Sequence, residues 1–163
     1  QNWPEEINIT KKTIDVDLNL ETNFGPESIK NNIDSQPEFV WMTAESLGDN
    51  DPALNYYSNL PAVFIFDKPL LNYLQLSTKR IIFLLDCLRE LANKRSTQVY
   101  LDNPIEYLKN KNFASTFAAV PKYKKITRVN IPTTEFPSVR LVKPINFYPS
   151  SYSSWKKRIE LNI

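Results

Sequence analysis

The 163-residue sequence contains no histidine, two glycines and one cysteine, and each shortage excludes a class of chemistry. Without histidine, a Ser-His-Asp triad, a Cys-His pair and a histidine metal ligand are all impossible. The two glycines, Gly25 and Gly48, lie far apart, so the chain lacks the glycine-rich loops that hold phosphates in common nucleotide-binding motifs. The lone Cys87 cannot form an internal disulfide, which favours a reducing, cytoplasmic location.

Long hydrophobic runs are also missing from the chain. No stretch approaches the roughly 20 apolar residues that span a bilayer, and we expect no membrane partner. The opening residues, QNWPEEINIT, are polar and acidic, unlike a signal peptide. Apolar residues make up 42% of the chain and charged residues 23%. These values, with the length, are typical of one globular domain.

Charge is unevenly distributed along the sequence, although the formal net charge is only +2. Residues 1–51 hold eleven acids and three bases, whereas residues 122–163 hold two acids and nine bases. Such an acidic front and basic tail indicate either pairing within the molecule or a basic face for an anionic partner. A solvated basic face without a partner is the simpler interpretation.

The N-terminal part contains one clear strand pattern. In residues 14–20, Ile14, Val16, Leu18 and Leu20 alternate with polar residues, and a period of two predicts a half-buried strand. The following stretch to residue 37 is polar and rich in turn formers, which is typical of a linker. We therefore assign residues 1–37 to an N-terminal extension or arm.

From residue 38 onwards, segments typical of strands alternate with segments typical of helices. The predicted strands cover 38–42, 60–67, 97–101 and 113–120, and the predicted helices cover 52–58, 77–95 and 103–111. Asp51, Ser77 and Asn103 are suited to cap these helices. The alternation predicts an α/β domain over residues 38–163, a Rossmann-like doubly wound parallel sheet with helices on both faces.

Ligands of such sheets bind beyond the carboxyl ends of the strands. The sequence places three segments there: 43–51, 67–69 and 120–123. After residue 121, prolines interrupt the pattern. A short strand in SVRLVKP and a final helix in SSYSSWKKRIE, capped by Ser150 or Ser151, are the elements we predict there.

Several motifs occur in an order that resembles the N-terminal α/β domain of the photolyase/cryptochrome family. Trp41 ends a strand and is followed by Asp51-Pro52-Ala53-Leu54, similar to the family's "DNPAL" helix start. AVFIFD at 62–67 is similar to its next strand, and Leu76-Ser77-Thr78-Lys79-Arg80 followed by Phe83-Leu84-Leu85 is similar to its long helix. DNP at 102–104 stands where the family's next helix begins. The tail FYPSSYSSWKKRIE is similar to the family's proline- and aromatic-rich stretch before a Trp-bearing helix. The resemblance covers about residues 38–160.

The resemblance implies a photolyase-type antenna domain that holds a light-harvesting chromophore such as a folate, a deazaflavin or FMN. The positions that it places at this site are Trp41, Met42, Glu45, Asp67 and Lys68. The family's helical domain, which binds FAD and performs the repair chemistry, has no counterpart in this sequence, so we expect neither FAD nor catalytic residues here. Trp41 and its aromatic neighbours Phe64 and Phe66 are also typical of plain core.

The resemblance also implies a partner, a separately encoded FAD-binding photolyase-type domain, in light-dependent DNA repair or light sensing. Docking on such a domain would require a large exposed apolar patch on this chain. The family's arginine positions after the first strand are held here by Thr43 and Ala44, and its acidic-aromatic loop is replaced by VPKYKK.

An alternative function is binding of single-stranded nucleic acid, such as DNA. Lys and Arg side chains are interleaved with Tyr and Trp near the C-terminus, and this mixture suits phosphate pairing and stacking on nucleobases. The candidate residues are Lys122, Lys124, Lys125, Arg128, Trp155, Lys156, Lys157 and Arg158. The opposing interpretation is a helix in which Tyr152 and Trp155 pack inward while the lysines face water.

A third hypothesis is a hydrolase or transferase that holds Mg²⁺ with acidic residues at the end of the sheet. The candidates are Glu45, Asp49, Asp51 and Asp67. Acidic residues in such loops are more often helix caps and solvated turns.

Overall fold

The computed structural model describes residues 25–48, 50–74, 76–140, 142 and 151–158 of the chain. The described chain is an α/β structure with a six-stranded, mostly parallel sheet flanked by helices. The strands are β1 (Lys30–Asn31), β2 (Phe39–Met42), β3 (Ala62–Asp67), β4 (Thr97–Asp102), β5 (Phe113–Thr116) and β6 (Thr134–Phe136). The strand predicted at 14–20 lies outside the described residues.

The sheet has the strand order β1-β6-β5-β2-β3-β4. All neighbours are parallel except β1 and β6, which are antiparallel. Along the chain, the parallel part of the sheet begins with the central strand β2. It extends first to one side through β3 to β4, and then to the other side of β2 through β5 to β6. This is the order of a doubly wound sheet, in which the direction of winding reverses between β2 and β5.

The described residues form six α-helices, and the starts of several of them follow local sequence chemistry. They are α1 (Pro52–Tyr56), α2 (Lys68–Leu74), α3 (Thr78–Ala92), α4 (Pro104–Tyr107), α5 (Pro121–Val129) and α6 (Tyr152–Lys156). The predicted caps of α1, α3 and α4 are confirmed: the side chains of Asp51, Ser77 and Asn103 each accept a hydrogen bond from a backbone N–H in the first turn. Ser151 caps α6 in the same way.

Two apolar clusters lie on opposite faces of the sheet because successive side chains of a strand alternate. On one face, Trp41 and Ile65 pack with Tyr123 and Ile126 of α5. On the other face, the cluster comprises Val40, Met42, Ala53, Leu54, Ala62, Phe64, Leu88, Leu91, Ala114 and Phe136, from β2, β3, β5, β6, α1 and α3. The predicted placement of helices on both faces is confirmed.

The arm before residue 38 contributes directly to the sheet. Lys30 and Asn31 form β1, and their register partners in β6 are Glu135 and Thr134. Gly25 has φ +71°, and a Cβ added there would lie 2.3 Å from the ring of Phe117. The arm therefore passes close to the carboxyl end of β5. Any residue larger than glycine at position 25 would have to displace the ring of Phe117.

The structure also contains elements that the sequence pattern did not predict. Helices α2 and α5 and strands β1 and β6 are absent from the predicted pattern, and β5 ends at Thr116 rather than at residue 120. The short strand predicted at 138–144 is not present at residues 138–140, which are described and lie outside any strand; Val142 forms a single bridge, and residues 141, 143 and 144 lie outside the described residues.

Candidate functional site

A cavity of about 420 Å³ lies at the carboxyl edge of the sheet. Its walls come from the ends of β2 and β3, the turn after β2, α2, the start of α3 and the first turns of α5. The lining residues are Trp41, Met42, Thr43, Ala44, Glu45, Phe64, Ile65, Phe66, Asp67, Leu70, Leu71, Leu76, Arg80, Leu84, Pro104, Val120, Pro121, Lys122, Tyr123 and Ile126. The three segments expected beyond the strand ends thus all contribute to one cavity.

The aromatic residues of the cavity wall are fixed by the core beneath them. Trp41 is 4% exposed and stacks on Tyr123, with ring centroids 5.6 Å apart and an interplanar angle of 3°. Phe64 and Phe66 meet edge to face at 5.0 Å. Offset and edge-to-face pairs are the favoured arrangements of aromatic rings. The wall is consequently apolar and rigid.

Charged groups are confined to a few positions around the cavity. The ammonium of Lys122 lies 3.0 Å from Oδ2 of Asp67, and the Asp67 side chain is only 16% exposed. Oδ1 of Asp67 accepts a hydrogen bond from the N–H of Leu70 at 2.9 Å, which fixes the start of α2. Asp67 therefore joins β3, α2 and α5 at one point. Glu45 and Arg80 line the cavity as exposed residues.

Asp51 lies buried at the start of α1, 6% exposed. Its Oδ1 accepts a hydrogen bond from Leu54 N at 2.9 Å, while Oδ2 is buried without a hydrogen-bond partner. Burial raises the pKa of the Asp51 carboxyl, opposed by hydrogen bonds from the backbone and Thr116 and by the charge of Arg95. Asp51 acts as the N-terminal cap of α1, and it belongs to no cluster of metal-binding side chains among the described residues.

Four of the five residues predicted to form the chromophore site line this cavity. Trp41, Met42, Glu45 and Asp67 line the cavity, whereas Lys68 is exposed at the start of α2 and does not. Met42 is 1% exposed and packs in the apolar cluster on the face opposite Trp41. Whether these residues hold a chromophore stays a prediction.

Arg80 was missed as a member of this site, whereas Lys122 and Tyr123 belong to a segment that the sequence placed at this edge but were not predicted as binding residues of the cavity. Arg80 belongs to α3, and Lys122 and Tyr123 belong to α5, a stretch in which prolines interrupt the sequence pattern. A helix signal was present there: Pro121 occupies a first helical position, and Tyr123 and Ile126 are spaced to share one face.

The basic residues of α5 are arranged around a buried stripe. Tyr123 is 1% exposed, and its hydroxyl donates a hydrogen bond to Oε1 of Glu135 at 2.8 Å. Lys122 pairs with Asp67 across the cavity. Lys125 and Arg128 are exposed and Lys124 is half-buried. The aromatic ring in this stretch is therefore not available for stacking on a base.

The basic residues of α6 have different surroundings. Tyr152 is 70% exposed, so the interpretation that it packs inward is wrong. Its ring lies 5.5 Å from that of the half-buried Trp155. Lys156, Lys157 and Arg158 follow and are exposed. An aromatic pair beside three cations remains at the surface.

Within the described residues, no three Asp, Glu or Cys side chains gather closely enough to hold a metal ion. Asp51 and Asp67 cap separate helices, and Asp49 lies outside the described residues. The described helices include none long and apolar enough to cross a membrane.

No protein-family model, curated protein or solved structure matches this chain.

Proposed function

We propose that this protein is a photolyase-related antenna module that binds a flat heteroaromatic chromophore in the cavity at the carboxyl edge of its sheet. The chromophore is of the folate, deazaflavin or FMN kind. The module has no repair chemistry of its own and delivers excitation to a separate flavin domain.

One observation carries this proposal: the cavity of about 420 Å³ at the strand ends, beside the point where the winding of the sheet reverses. Ligand pockets of this size are common, and doubly wound sheets bind their ligands at this edge. A wall of Trp41, Phe64 and Phe66 suits a planar ring system. The few charged groups, Asp67 and Lys122 among them, suit its polar substituents.

The binding test uses the purified full chain, with FMN, a folate and a deazaflavin as separate probes. Ala44 lines the cavity and is exposed, so Ala44→Trp adds a large side chain at the site. Ala92→Trp is the matched control, because Ala92 is an exposed alanine at the far end of α3. We expect one probe to bind the wild type and the control, and Ala44→Trp to weaken its affinity at least tenfold. Equal affinity of all three proteins would place the ligand elsewhere.

Docking on the flavin domain is supported by apolar side chains that remain exposed. On α3, Ile82, Phe83 and Leu85 are 51%, 64% and 46% exposed, and on β4, Val99 and Leu101 are 44% and 62% exposed. Large exposed apolar surface of this kind marks interaction sites. A purified FAD-loaded photolyase helical domain should sediment with the wild type and not with Phe83→Lys; co-sedimentation of both would exclude this surface.

Single-stranded nucleic-acid binding is a second candidate, supported by the exposed Tyr152 beside Trp155 and three cations. Stacking and phosphate pairing both need such exposure. Binding of an oligonucleotide should weaken with salt, and Lys156→Ala with Lys157→Ala should reduce the slope of log K against log salt by about 1.4. An unchanged slope would show that α6 makes no phosphate contact.

A further inference from the structure

The two edge strands of the sheet differ in how they are protected against pairing with another chain. One edge is β1, which is two residues long and contains Lys30, and a short strand with a lysine is a common protection. The other edge is β4, a strand of six residues whose sequence is TQVYLD and which pairs with β3 alone among the described strands. Its register with β3 is continuous along its whole length. The β4 edge therefore lacks the lysine, the proline and the bulge that usually block pairing.

The pairing with β3 shows which main-chain groups of β4 face the outer edge. The carbonyl of Ser96 accepts a hydrogen bond from the N–H of Ala62 at 2.8 Å, so the main-chain groups of Ser96 face β3. Successive residues of a strand direct these groups to alternate sides. Thr97, Val99 and Leu101 consequently direct their N–H and C=O groups away from β3. A row of donors and acceptors lies along this edge without a strand partner among the described residues.

The side chains of β4 are exposed on both faces of the sheet. Val99 lies beside Phe64, on the face that α3 covers, and Leu101 shares this face because it is two residues further along the strand. Tyr100 lies on the opposite face, where its ring is 4.5 Å from that of Tyr107. The edge thus combines open main-chain groups with apolar side chains, which are the two components that strand addition uses.

We propose that two copies of this chain pair through β4, antiparallel and about a two-fold axis at Val99, and join their six-stranded sheets into one. In this register Val99 lies opposite the partner's Val99, and Thr97 lies opposite the partner's Leu101. Every one of these residues directs its main-chain groups to the edge. Each such pair therefore exchanges both of its N–H···O bonds.

The sequence of β4 favours this register over its neighbours. Moving the axis to Gln98 or Tyr100 would pair Leu101 or Thr97 with a residue outside β4, which has bounds Thr97–Asp102. The axis at Val99 uses all the outward-facing residues of both copies. It also places the two Val99 side chains together on one face and Tyr100 opposite the partner's Gln98 on the other.

Charge and symmetry favour a second copy as the occupant of this edge. Asp102 is the single charged residue of β4 and stands at its end. Antiparallel pairing separates the two Asp102 carboxylates to opposite ends of the joint, whereas like charges placed directly opposite each other are destabilising. A two-fold interface is closed after two copies. The dimer therefore covers both unprotected edges and leaves only the short, lysine-bearing β1 at each end of the combined sheet.

The dimer is compatible with the proposed function and does not depend on it. No residue of β4 lines the cavity. The joint is made by main-chain groups at the edge, while the exposed side chains of α3 and β4 project from the face of the sheet. The surface proposed for the flavin domain thus stays accessible, with one copy of it on each side of the two-fold axis.

Sedimentation equilibrium of the full chain measures the dissociation constant of the dimer. Val99→Pro removes an N–H that β3 does not use, so the monomer keeps its own sheet. This substitution should raise the dissociation constant at least about tenfold, because both central hydrogen bonds lose their donors. Val99→Thr is the matched control, since it keeps the N–H and the β-branched shape, and it should dimerise as the wild type does. Near-UV circular dichroism confirms that each variant is folded.

Cysteine cross-linking tests the register and does not depend on the proline variant. The background is Cys87→Ala, which removes the one native thiol. Val99→Cys places two thiols on residues whose Cα atoms would be about 5.5 Å apart, a distance that a disulfide can span. Leu101→Cys is the matched control, because its two copies would lie roughly 14 Å apart along the joint. Mild oxidation should convert the first variant to a covalent dimer and leave the second monomeric on a denaturing gel.

A wild type that stays monomeric would overturn the proposal, as would a dimer that is unchanged by Val99→Pro or cross-links equally at residues 99 and 101. A monomer whose Thr97, Val99 and Leu101 amides are protected from hydrogen exchange would show that another segment covers the edge. If Val99→Pro does not fold, the two cysteine variants decide. Chromophore binding is measured separately on the same wild type, and its absence would remove the proposed function without affecting the dimer.

Discussion

Three backbone carbonyls of one short segment converge on the guanidinium of Arg95. Its Nη1 donates to the carbonyl of Leu54 at 2.9 Å, and its Nη2 donates to Tyr57 at 2.7 Å and also to Leu60. These carbonyls belong to the end of α1 and the turn that follows it. Helix ends leave such acceptors without intrahelical partners, so Arg95 fixes the path between α1 and β3.

Replacing Arg95 should therefore cost more than a typical surface substitution. Arg95→Ala removes all three donors and should lower the free energy of unfolding by roughly 3 kcal/mol, since each hydrogen bond from a charged group contributes about 1.5–3 kcal/mol and losses are not additive. Arg95→Lys should recover only part of this, because an ammonium lacks the planar fork. Urea denaturation measures the differences.

The control is Arg89→Ala, at an exposed position on α3, which should change stability by less than about 0.5 kcal/mol. Equal losses at Arg95 and Arg89 would show that the convergent carbonyls are satisfied by water instead.

The buried carboxyl of Asp51 caps α1, and burial disfavours its charged form. Because its folded-state pKa is raised above the ordinary value of 3.8, the folded protein holds this proton more tightly than the unfolded chain does. Protonation of Asp51 therefore stabilises the fold. That contribution is complete below pH 3.8 and is lost as pH rises through the folded-state pKa.

Asp51→Asn should accordingly be at least as stable as the wild type at neutral pH, since asparagine caps as well as aspartate and carries no charge. Its advantage should shrink in mild acid. Asp51→Ala loses the cap and should cost about 1 kcal/mol. Urea denaturation at both pH values gives these differences, with Asp86→Asn, on the exposed side of α3, as the control. The account fails if Asp51→Asn is as unstable as Asp51→Ala at neutral pH.

At the scale of elements, substitutions at the two glycines test whether the close packing of the arm against Phe117 stabilises the fold. A Cβ at Gly25 meets the Phe117 ring at 2.3 Å and φ is +71°, whereas at Gly48 the nearest atom is 4.0 Å away. Gly25→Ala should cost about 2–4 kcal/mol from overpacking and backbone strain. Gly48→Ala should be neutral or slightly stabilising.

Midpoints of urea denaturation for these two variants report whether the arm is an integral part of the sheet. If Gly25→Ala is as stable as the wild type, then the close approach of the arm to Phe117 contributes nothing to the fold.

The elements that could be predicted are those specified by their own sequence. Helix α3 has a cap at Ser77 and a stripe of leucines, and β3 is apolar along its buried part. Strand β6 is only Thr134–Phe136, and its pairing with β5 and β1 is non-local, so no local pattern indicates it. Helix α5 was not predicted because the prolines from residue 121 onwards were interpreted as interrupting the pattern of elements.

For the whole molecule, the order of elements predicted the sheet and the edge at which a cavity would form. It could not predict which side chains from distant segments meet there. Lys122 and Asp67 are far apart in sequence and 3.0 Å apart in space. The stacking of Trp41 on Tyr123 likewise depends on α5 returning over β2. The side chains of such a site come from several strand ends, and they become neighbours only when the chain folds.

The central claim, that the cavity at the carboxyl edge holds a flat chromophore, is tested most directly by the absorption spectrum of the native protein. The spectrum is recorded in the near-UV and visible range before and after heat release of small molecules. We predict a band beyond the protein absorption that passes into the supernatant on denaturation. A bare protein spectrum, unchanged after soaking with a folate, a deazaflavin and FMN, would contradict the claim.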